Sequence, residues 1–442
     1  MAATLYLPLL LLMLGVIACL AAVTRKYLLN TVTLICGMWF VSVCLASLRL
    51  YGIRPYSERV YAIIAIGCAG VAVGGVFLRF LTQRVYGTTV NRLAADGNAA
   101  YSFNMRGVLC FQIFCSAYYF FMCVKSVQLL NSGRTFADLR TIHQGYAFTE
   151  TTLSNFQQAI GNHVAKSFIF VMIPAALIIL FTRQEVRYRK TTLLLTALDL
   201  CMYTLYTASR MILVVAMIDT LVLMTIHKAR ITKRALKIMK WVGIIVCATV
   251  LSVTAFRVAD KNILGIWETV YAYCSAPVPL MSLWIEKIDA SIRPMNGLAL
   301  SNGLLNALDI LLKRLKIDFA SHRECSVFIS GFETFIPIYG GHKINAFVSA
   351  FTYFYLDGRE TGVFLLGGLM GMIGSYFEER ALKRPDLLSL LTYILLLQAT
   401  VKFLFKWEFA SSSYVLAFVY LRLIFVRRGD LTLPRAKRIV IE

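Results

Sequence analysis

The run Leu7-Pro8-Leu9-Leu10-Leu11-Leu12 decides the fold class of this chain. It belongs to an apolar stretch, residues 4–24, that is long enough to cross a hydrocarbon core roughly 30 Å thick. Inside a bilayer every backbone polar group needs a partner within the protein, so a crossing segment is a helix or part of a closed barrel. Barrel strands alternate apolar and polar residues over about ten positions, and this run does not alternate. The sequence therefore predicts an all-α membrane protein.

The composition extends this prediction to the whole chain. Of its 442 residues, 59% are hydrophobic and 15% are charged, whereas soluble domains carry about 25% charged residues. We expect one polytopic membrane domain that covers residues 1–442, without repeats or flexible linkers. About eleven transmembrane helices are predicted, at residues 4–24, 28–49, 60–81, 107–130, 164–182, 191–208, 211–227, 241–257, 347–376, 387–405 and 412–426.

The net charge of +22 indicates membrane topology rather than a nucleic-acid partner. Lys and Arg residues concentrate in alternate connections between the apolar stretches, and the positive-inside rule places those connections in the cytoplasm. The first stretch is followed by Arg25 and Lys26 and has no basic residue before it, which is the reverse of a secretory signal peptide. We therefore expect a retained anchor with its N-terminus outside, and a basic cytoplasmic tail at residues 427–442.

Two outer connections are longer than turns. Residues 131–163 form a predicted outer loop, and residues 258–346 form a large extracytoplasmic loop. The large loop contains leucines at helical spacing, which predict an amphipathic helix capped near Ser301 or Asn302. Such a helix lies on the outer membrane surface or packs over the bundle, and the sequence favours neither. The leucines are Leu304, Leu308, Leu311 and Leu315.

Cysteine is common, with eleven residues, and most of these lie in apolar runs as small hydrophobic side chains. Cys274 and Cys325 both belong to the large outer loop, where a disulfide is chemically permitted. The spacing of the two cysteines in the sequence does not show whether their Cα atoms lie close enough for a disulfide. A disulfide and two free buried thiols are therefore both open.

Nucleotide-binding and metal-binding signatures are missing from the sequence. It contains no phosphate-binding glycine loop, no dinucleotide fingerprint and no zinc-ligand spacing, and its five histidines are scattered. Metal-dependent membrane glycosyltransferases tend to carry acidic residues in the first outer loop. Here Glu58 is the only acidic residue in residues 50–59, which disfavours that class. We expect neither a cofactor nor a metal.

Arg210 is the first candidate binding residue. It follows Thr207-Ala208-Ser209 at a tight outer turn, and a cation at membrane depth is a functional candidate by default. The planar guanidinium binds diphosphate oxygens in a bidentate manner. The alternative is that Arg210 reaches to the interface or pairs with Asp199 or Asp219.

Arg134 and Arg140 are further candidates, in the outer loop of residues 131–163. Gly145 follows Arg134 after ten intervening residues, a spacing that also occurs in outer loops of some polysaccharide polymerases. Solvated loop charges are the alternative interpretation.

The stretch from Gly331 to Gly362 interleaves polar and aromatic residues ahead of a glycine-rich span. Aromatic faces with hydrogen-bonding neighbours suit sugars, although an interfacial aromatic belt is the alternative. Asp357, Arg359 and Glu360 stand together at the entrance of the span, where buried charges need partners.

The pattern Asn345-x-Phe347-x-Ser349-x-Phe351-x-x-x-Tyr355-x-Asp357-x-x-x-x-Gly362 resembles that of oligosaccharide repeat-unit polymerases of the Wzy type, which are GT-C-like membrane glycosyltransferases. Ser209-Arg210 resembles a Ser-Arg step in the middle of those chains, and their plan of 10–14 spans with a large outer loop is similar. One departure is that Gly358-Arg359 follows the aspartate, where the family usually has Phe-Gly.

The resemblance implies polymerisation of undecaprenyl-diphosphate-linked repeat units into O-antigen or a related polysaccharide. The reaction would take place at the periplasmic face of a bacterial inner membrane. Arginines would stabilise the diphosphate leaving group, with Arg210 first and Arg134 and Arg140 next. His342, Glu333 and Asp357 are alternative bases for the acceptor hydroxyl.

The same resemblance implies binding roles and partners. Asn345, Tyr355 and Arg359 would bind substrate. The expected partners are the lipid-linked donor and acceptor, membrane lipid, a chain-length regulator and a flippase.

Two rival functions remain. An O-antigen ligase has a similar plan but transfers finished glycan to lipid A core. A transporter or flippase of lipid-linked sugar would use charges inside the spans for an ion or substrate path, although the repeated halves of many transporters are missing. Those charged residues are Asp199, Asp219, Lys166 and Lys402.

Overall fold

The structure is a computed structural model. It describes residues 3–25, 29–93, 101–134, 155–181, 186–207, 211–226, 244, 263–316, 319–334, 336–339, 342–344, 348–383 and 386–428.

Helices dominate the described residues. The α-helices are Ala3–Arg25, Thr31–Ser47, Arg59–Leu93, Met105–Asn131, Asn155–Ala159, Lys166–Phe181, Arg189–Thr207, Met211–Ile226, Ile263–Ser275, Pro277–Ser291, Leu298–Arg314, Ala320–Gly331, Ser349–Lys383, Leu387–Val401 and Ser412–Tyr420. Two π-helical turns, Ile160–Ala165 and Leu421–Phe425, continue helices. Short 3-10 helices cover Leu50–Gly52, Lys402–Leu404 and Glu408–Ala410. The described residues also form four short strands: Tyr101–Phe103, Ile336–Tyr339, His342–Ile344 and Val426–Arg428.

Five helices in the described part of the chain are long and apolar enough to cross a membrane. Shorter apolar helices cover Thr31–Ser47, Met211–Thr225 and Ser412–Phe425. A mostly helical fold with several apolar helices of spanning length is thus confirmed, as expected of an all-α membrane protein. The five are Tyr6–Thr24, Arg59–Leu81, Met105–Asn131, Phe156–Phe181 and Leu387–Leu404.

Three other predicted spans do not match any of these apolar helices. Residues 191–208 and 347–376 largely coincide with the helices Arg189–Thr207 and Ser349–Lys383, which are not among those five. Residues 241–257 lie outside the described residues, apart from Ile244. The number of eleven spans therefore stays a prediction.

The two longest helices, Arg59–Leu93 and Ser349–Lys383, approach each other closely through glycines. A Cβ atom at Gly74 would overlap the carbonyl oxygen of Gly368, and one at Gly70 would overlap that of Phe364. Small residues allow such close backbone contact between membrane helices, where packing rather than hydrophobic burial drives association.

Connections that the charge pattern places on one side do meet at one end of the bundle. The backbone N–H of Arg54 donates to the carbonyl of Ile338 (2.8 Å), and that of Ser57 to the Ser282 hydroxyl (3.0 Å). At the opposite end, Tyr101–Phe103 pairs antiparallel with Val426–Arg428. We call the first the outer end and the second the inner end, following the predicted topology.

The described residues of the large outer loop form four helices and a strand pair. Ile336–Tyr339 lies antiparallel to His342–Ile344, with Tyr339 opposite His342. Cys274 and Cys325 are free thiols, so of the two alternatives the disulfide is not formed. Burial raises the pKa of the Cys325 thiol to about 12, with Asp357 and Glu324 adding to the effect.

The predicted amphipathic helix is present, but it begins at Leu298 rather than near Ser301 or Asn302. The start lies earlier because the Asp357 carboxylate accepts the backbone N–H groups of Ala299 and Leu300. The helix packs on the bundle through a small residue, since a Cβ at Gly303 would overlap the Phe409 carbonyl oxygen.

The leucine side of this helix faces away from the protein. Leu304 is 49% exposed and Leu308 is 40% exposed. Of the two predicted arrangements, packing over the bundle is therefore the one observed, but through the small residues rather than through the leucines.

The segment predicted as the outer loop 131–163 is partly helical. A helix begins at Asn155 and passes through the π-helical turn Ile160–Ala165 into Lys166–Phe181. Residues 135–154 lie outside the described residues.

Candidate functional site

The long helix Ser349–Lys383 is broken at the outer end of the bundle. Gly358 and Arg359 leave the helical conformation, with φ values of −153° and 55°. A positive φ at a non-glycine residue is uncommon and costs about 1–3 kcal/mol. The break follows directly after Tyr355 and Asp357, within the pattern that resembles the polymerases.

Asp357 is held by the backbone of the amphipathic helix. Its carboxylate accepts the N–H of Ala299 (2.8 Å) and that of Leu300 (2.7 Å), and its main-chain carbonyl accepts the N–H of Asn296 (3.0 Å). A carboxylate at a helix N-terminus satisfies unpaired N–H groups and complements the helix dipole. Both carboxylate oxygens of Asp357 are therefore engaged by the start of this helix.

Five charged and polar side chains surround the break and form what we call the arginine network: Arg59, Asp289, Tyr355, Arg359 and Glu360. The Arg59 guanidinium lies 2.7 Å from Asp289 and 2.7 Å from Glu360, and it donates to the Tyr355 hydroxyl at 2.7 Å. Tyr355 donates to Asp289 at 2.8 Å.

Arg359 completes this network. Its Nε lies 3.5 Å from an Asp289 oxygen, and its guanidinium stacks 5.4 Å from the centre of the Tyr355 ring and donates to the Ile292 carbonyl. Its Nη1 atom is buried and has no hydrogen-bond partner among the described residues. Because two arginines face two carboxylates, the network is balanced in charge.

A second group of charged side chains is rich in lysine. This lysine–glutamate cluster consists of Lys166, Glu333, Lys402, Lys406 and Glu408. Lys402 Nζ lies 3.4 Å from Glu408 Oε1, and Lys406 Nζ lies 4.0 Å from Glu408 and 3.9 Å from Glu333. Exposure of the side chains rises from 3% at Glu408 to 35% at Glu333, so the cluster runs from the protein interior to the outer surface.

Lys166 is the third ammonium group of the cluster. It follows directly after the π-helical turn Ile160–Ala165, and π turns are frequent at functional sites. Its ammonium group is close enough to Glu333 and Glu408 to feel their charges. Among the described residues, however, no carboxylate lies within 4.0 Å of it. Asp219 lies close enough to Lys402 for the two charges to interact, so a third carboxylate adjoins the cluster.

Glu408 is ionised in this setting. Burial raises the pKa of its carboxyl, but Lys402, Lys406 and Lys166 outweigh burial and hold the pKa below its usual range.

Aromatic rings line the inner side of the cluster. Lys402 Nζ lies 4.5 Å from the centre of the Phe170 ring. Tyr203 is close to Lys406 and Glu408, and its ring meets Tyr206 edge to face at 5.3 Å. Both tyrosines belong to the last turns of the helix that ends at Thr207, three residues before Arg210.

The predicted site residues are only partly brought together. Glu333 belongs to the lysine–glutamate cluster, and Tyr355 and Arg359 belong to the arginine network. Arg134 is exposed at the end of the helix Met105–Asn131, and His342 lies in the outer strand pair. Arg140, Arg210 and Asn345 lie outside the described residues.

Seven members of the two groups were missed by sequence reasoning as site residues. Glu360, Lys166 and Lys402 were noted only as charges at or inside the spans, and Arg59, Asp289, Lys406 and Glu408 were not considered. Lys406 and Glu408 flank Trp407 between two apolar stretches, and charges in such places are functional candidates, so this signal was present. Nothing local links Arg59 to Asp289, which lies 230 positions away in the chain.

The search for metal ligands and the comparison with known proteins add no residue to these two groups. Within the part of the chain that the structure covers, no group of three or more His, Cys, Asp or Glu side chains could hold a metal ion. Comparison with protein-family models, curated proteins and solved structures finds no match for this chain.

Proposed function

We propose that this chain is a metal-independent membrane glycosyltransferase that polymerises undecaprenyl-diphosphate-linked oligosaccharide repeat units. The observation that carries the proposal is the convergence of three lysines, Lys166, Lys402 and Lys406, around Glu408 at the outer end of the bundle. A lipid diphosphate is an anion that can reach this depth of the membrane, and cations placed where negative charge develops stabilise its departure.

The proposal includes the finer topology. Eleven spans place the N-terminus in the periplasm and the C-terminal tail in the cytoplasm, so that both charged groups face the periplasm. Residues 54–57 contact the large loop at one end of the bundle, and residues 101–103 pair with residues 426–428 at the other end. These contacts support the arrangement.

The reaction transfers the growing glycan from its lipid carrier. The bond between the anomeric carbon and the diphosphate oxygen breaks, and the lipid diphosphate leaves with the electron pair. The acceptor sugar hydroxyl forms the new bond to that carbon and gives its proton to a base. Lys166 and Lys406 stabilise the leaving diphosphate, and Arg210, which follows the helix Arg189–Thr207 in the sequence, keeps its predicted role beside them.

Glu333 is the base that fits this arrangement best. It is half-buried, lies 3.9 Å from Lys406, and is not tied to backbone N–H groups as Asp357 is. A base needs reach to the hydroxyl and a suitable pKa. Arg59 and Glu360, which are partly exposed, offer a donor and an acceptor to the sugar rings from the arginine network.

The test uses the purified protein in lipid nanodiscs with a synthetic undecaprenyl-diphosphate-linked repeat unit, and product lengths are read on a gel. Wild type should give a ladder of glycans. Removing one preorganised donor to a developing charge lowers the rate about 100-fold or more. Lys166→Gln and Lys406→Gln should therefore each lengthen the glycan about 100-fold more slowly than wild type, and the ladder should be lost.

Lys125→Gln is the matched control. Lys125 is also a lysine near the outer end of a helix, but it donates to the neutral Gln157 side chain at 3.0 Å, and the variant should keep the wild-type ladder. If Lys166→Gln polymerised at the wild-type rate, this lysine would have no role in the reaction. If the wild-type protein gave only single repeat units, the polymerase proposal would be wrong. Adding lipid A core separates a ligase, which would cap that acceptor instead of lengthening the glycan.

A further inference from the structure

Asp219 is a fully buried carboxyl group that is hydrogen-bonded to an amide. It lies in the helix Met211–Ile226, and its Oδ2 atom accepts an N–H of the Gln398 side chain at 2.7 Å. Gln398 is also buried and belongs to the helix Leu387–Val401. The hydrogen bond places the carboxyl group and the amide side by side between two apolar helices.

The orientation of the Gln398 amide is fixed by a second partner. Its nitrogen also donates to the main-chain carbonyl of Phe170, at 3.3 Å. A carbonyl oxygen can only accept, so the nitrogen of the amide must face Phe170. The other end of the amide, the oxygen Oε1, is therefore an acceptor and needs a donor of its own.

One oxygen of each group lacks such a donor. In the part of the chain that the structure describes, Asp219 Oδ1 and Gln398 Oε1 are both buried without a hydrogen bond. Each shares its carbon with an atom of the Oδ2–Nε2 hydrogen bond, so covalent geometry keeps the two oxygens near one another. Two acceptors cannot satisfy each other, although buried polar atoms are nearly always hydrogen-bonded. A single proton between them satisfies both.

Few charges surround this pair. Among the described residues, the titratable groups that act on Asp219 are Lys402 and Tyr414. Lys402 Nζ lies 3.4 Å from Glu408, and within the described ranges no ion pair of 4.0 Å or less joins it to Asp219. The other described helices that pack on Met211–Ile226 bring no charged side chain that acts on Asp219. Because an ionised carboxylate without an ion pair is costly among apolar helices, these surroundings favour a neutral carboxyl group.

We propose that Asp219 is a proton-binding site, in which the carboxyl group holds a proton on Oδ1 and donates it to Gln398 Oε1. The amide N–H returns to Oδ2, so the acid and the amide form a ring of two hydrogen bonds that joins the two helices. The bound proton leaves Lys402 to Glu408. Loss of the proton creates a carboxylate that competes with Glu408 for Lys402, and it thereby disturbs the innermost pair of the lysine–glutamate cluster. The inference does not depend on the glycosyltransferase proposal, since no substrate takes part in it.

Infrared spectroscopy of the purified full chain detects this proton directly. A protonated carboxyl group has a C=O stretching band in a region that carboxylates and amides leave free, and a detergent without carbonyl groups keeps that region clear. At neutral pH, the spectrum of wild type minus that of Asp219→Asn should contain this band. Asp386→Asn is the matched control, because Asp386 caps the helix Leu387–Val401 and accepts the N–H of Ser389 at 2.9 Å. Its difference spectrum should lack the band.

Thermal unfolding supplies a second measurement. Asparagine reproduces the neutral acid, since its oxygen accepts from Gln398 and its N–H donates to Oε1. Folding of wild type takes up a proton above the ordinary aspartate pKa of about 3.9, whereas folding of Asp219→Asn does not. The unfolding equilibrium constant of wild type relative to this variant should therefore rise by up to about 10-fold per pH unit between about pH 5 and pH 7. Asp219→Asn should then unfold at or above the wild-type temperature at neutral pH.

The outcomes that overturn the proposal are distinct. Absence of the carboxyl band from the difference between wild type and Asp219→Asn overturns it, and so does an Asp219→Asn protein that unfolds below wild type at neutral pH, as loss of an ionised carboxylate held by Lys402 would cause. Gln398→Leu gives an independent check, because the carboxyl band should move to higher frequency once the amide is gone. An unchanged band in Gln398→Leu also overturns the proposal.

Discussion

The carboxylate of Glu408 lies 3.4 Å from the ammonium group of Lys402, and 3% and 7% of the two side chains are exposed. Breaking a buried ion pair from one side leaves the other charge without compensation, at a cost of about 3–5 kcal/mol. This pair is the innermost part of the lysine–glutamate cluster, so it fixes the geometry that the more exposed charges depend on.

Replacing one partner of this pair should destabilise the protein more than replacing both. We expect Glu408→Gln to lower the free energy of unfolding by about 3 kcal/mol, and Glu408→Gln with Lys402→Met to recover much of that loss. Thermal unfolding in detergent measures both. A double variant no more stable than the single one would contradict the pairing.

The same pair should make stability depend on pH. The pKa of Glu408 is held below its usual range in the folded state, so the pair stabilises the protein above the ordinary carboxyl pKa of about 4.3. That contribution is lost as pH falls through the lower, folded-state pKa. The difference in unfolding temperature between wild type and Glu408→Gln should therefore be full at pH 7 and shrink below about pH 4; a constant difference would argue against it.

Asp357→Ala should loosen the start of the amphipathic helix. Losing a capping side chain costs about 0.5–2 kcal/mol, and hydrogen exchange should accelerate at the N–H groups of Ala299 and Leu300. Asp357→Asn, which keeps an acceptor oxygen, should retain more protection and measurable polymerisation. Complete loss of polymer in Asp357→Asn with unchanged exchange would instead make this residue the base.

Gly74→Ala should separate the two longest helices, because the added methyl group would overlap the Gly368 carbonyl oxygen. The variant should lose stability even though alanine favours helices by about 1 kcal/mol over glycine. Gly37→Ala is the matched control, since no atom lies within 4 Å of a Cβ there, and it should be neutral or stabilising. Unfolding curves of the two variants check this, and equal curves would refute the close approach.

The sequence predicted the elements whose cause is local. Apolar length is enough to predict the helices around Leu7–Leu12 and Leu387–Val401, because the bilayer imposes helix on any such segment. The leucine spacing likewise predicted the amphipathic helix. Its start was wrong because the cap comes from Asp357, distant in sequence, and no local pattern near Ser301 reveals that.

The candidate site was harder to predict from the sequence, because the contacts that form it also join distant segments of the chain. Tyr355, Arg359 and Glu333 could be selected from their local pattern, but their partners Arg59, Asp289 and Lys406 come from other segments of the chain. Side-chain spacing within one helix is readable from sequence, whereas contact between helices depends on how the bundle packs.

The pairing of Tyr101–Phe103 with Val426–Arg428 has a consequence for biosynthesis. The first of these strands leaves the ribosome long before the second, and until then its backbone groups have no strand partner. Closure of the inner end of the bundle therefore awaits Val426–Arg428, and a chain truncated before Val426 leaves the first strand without its partner there.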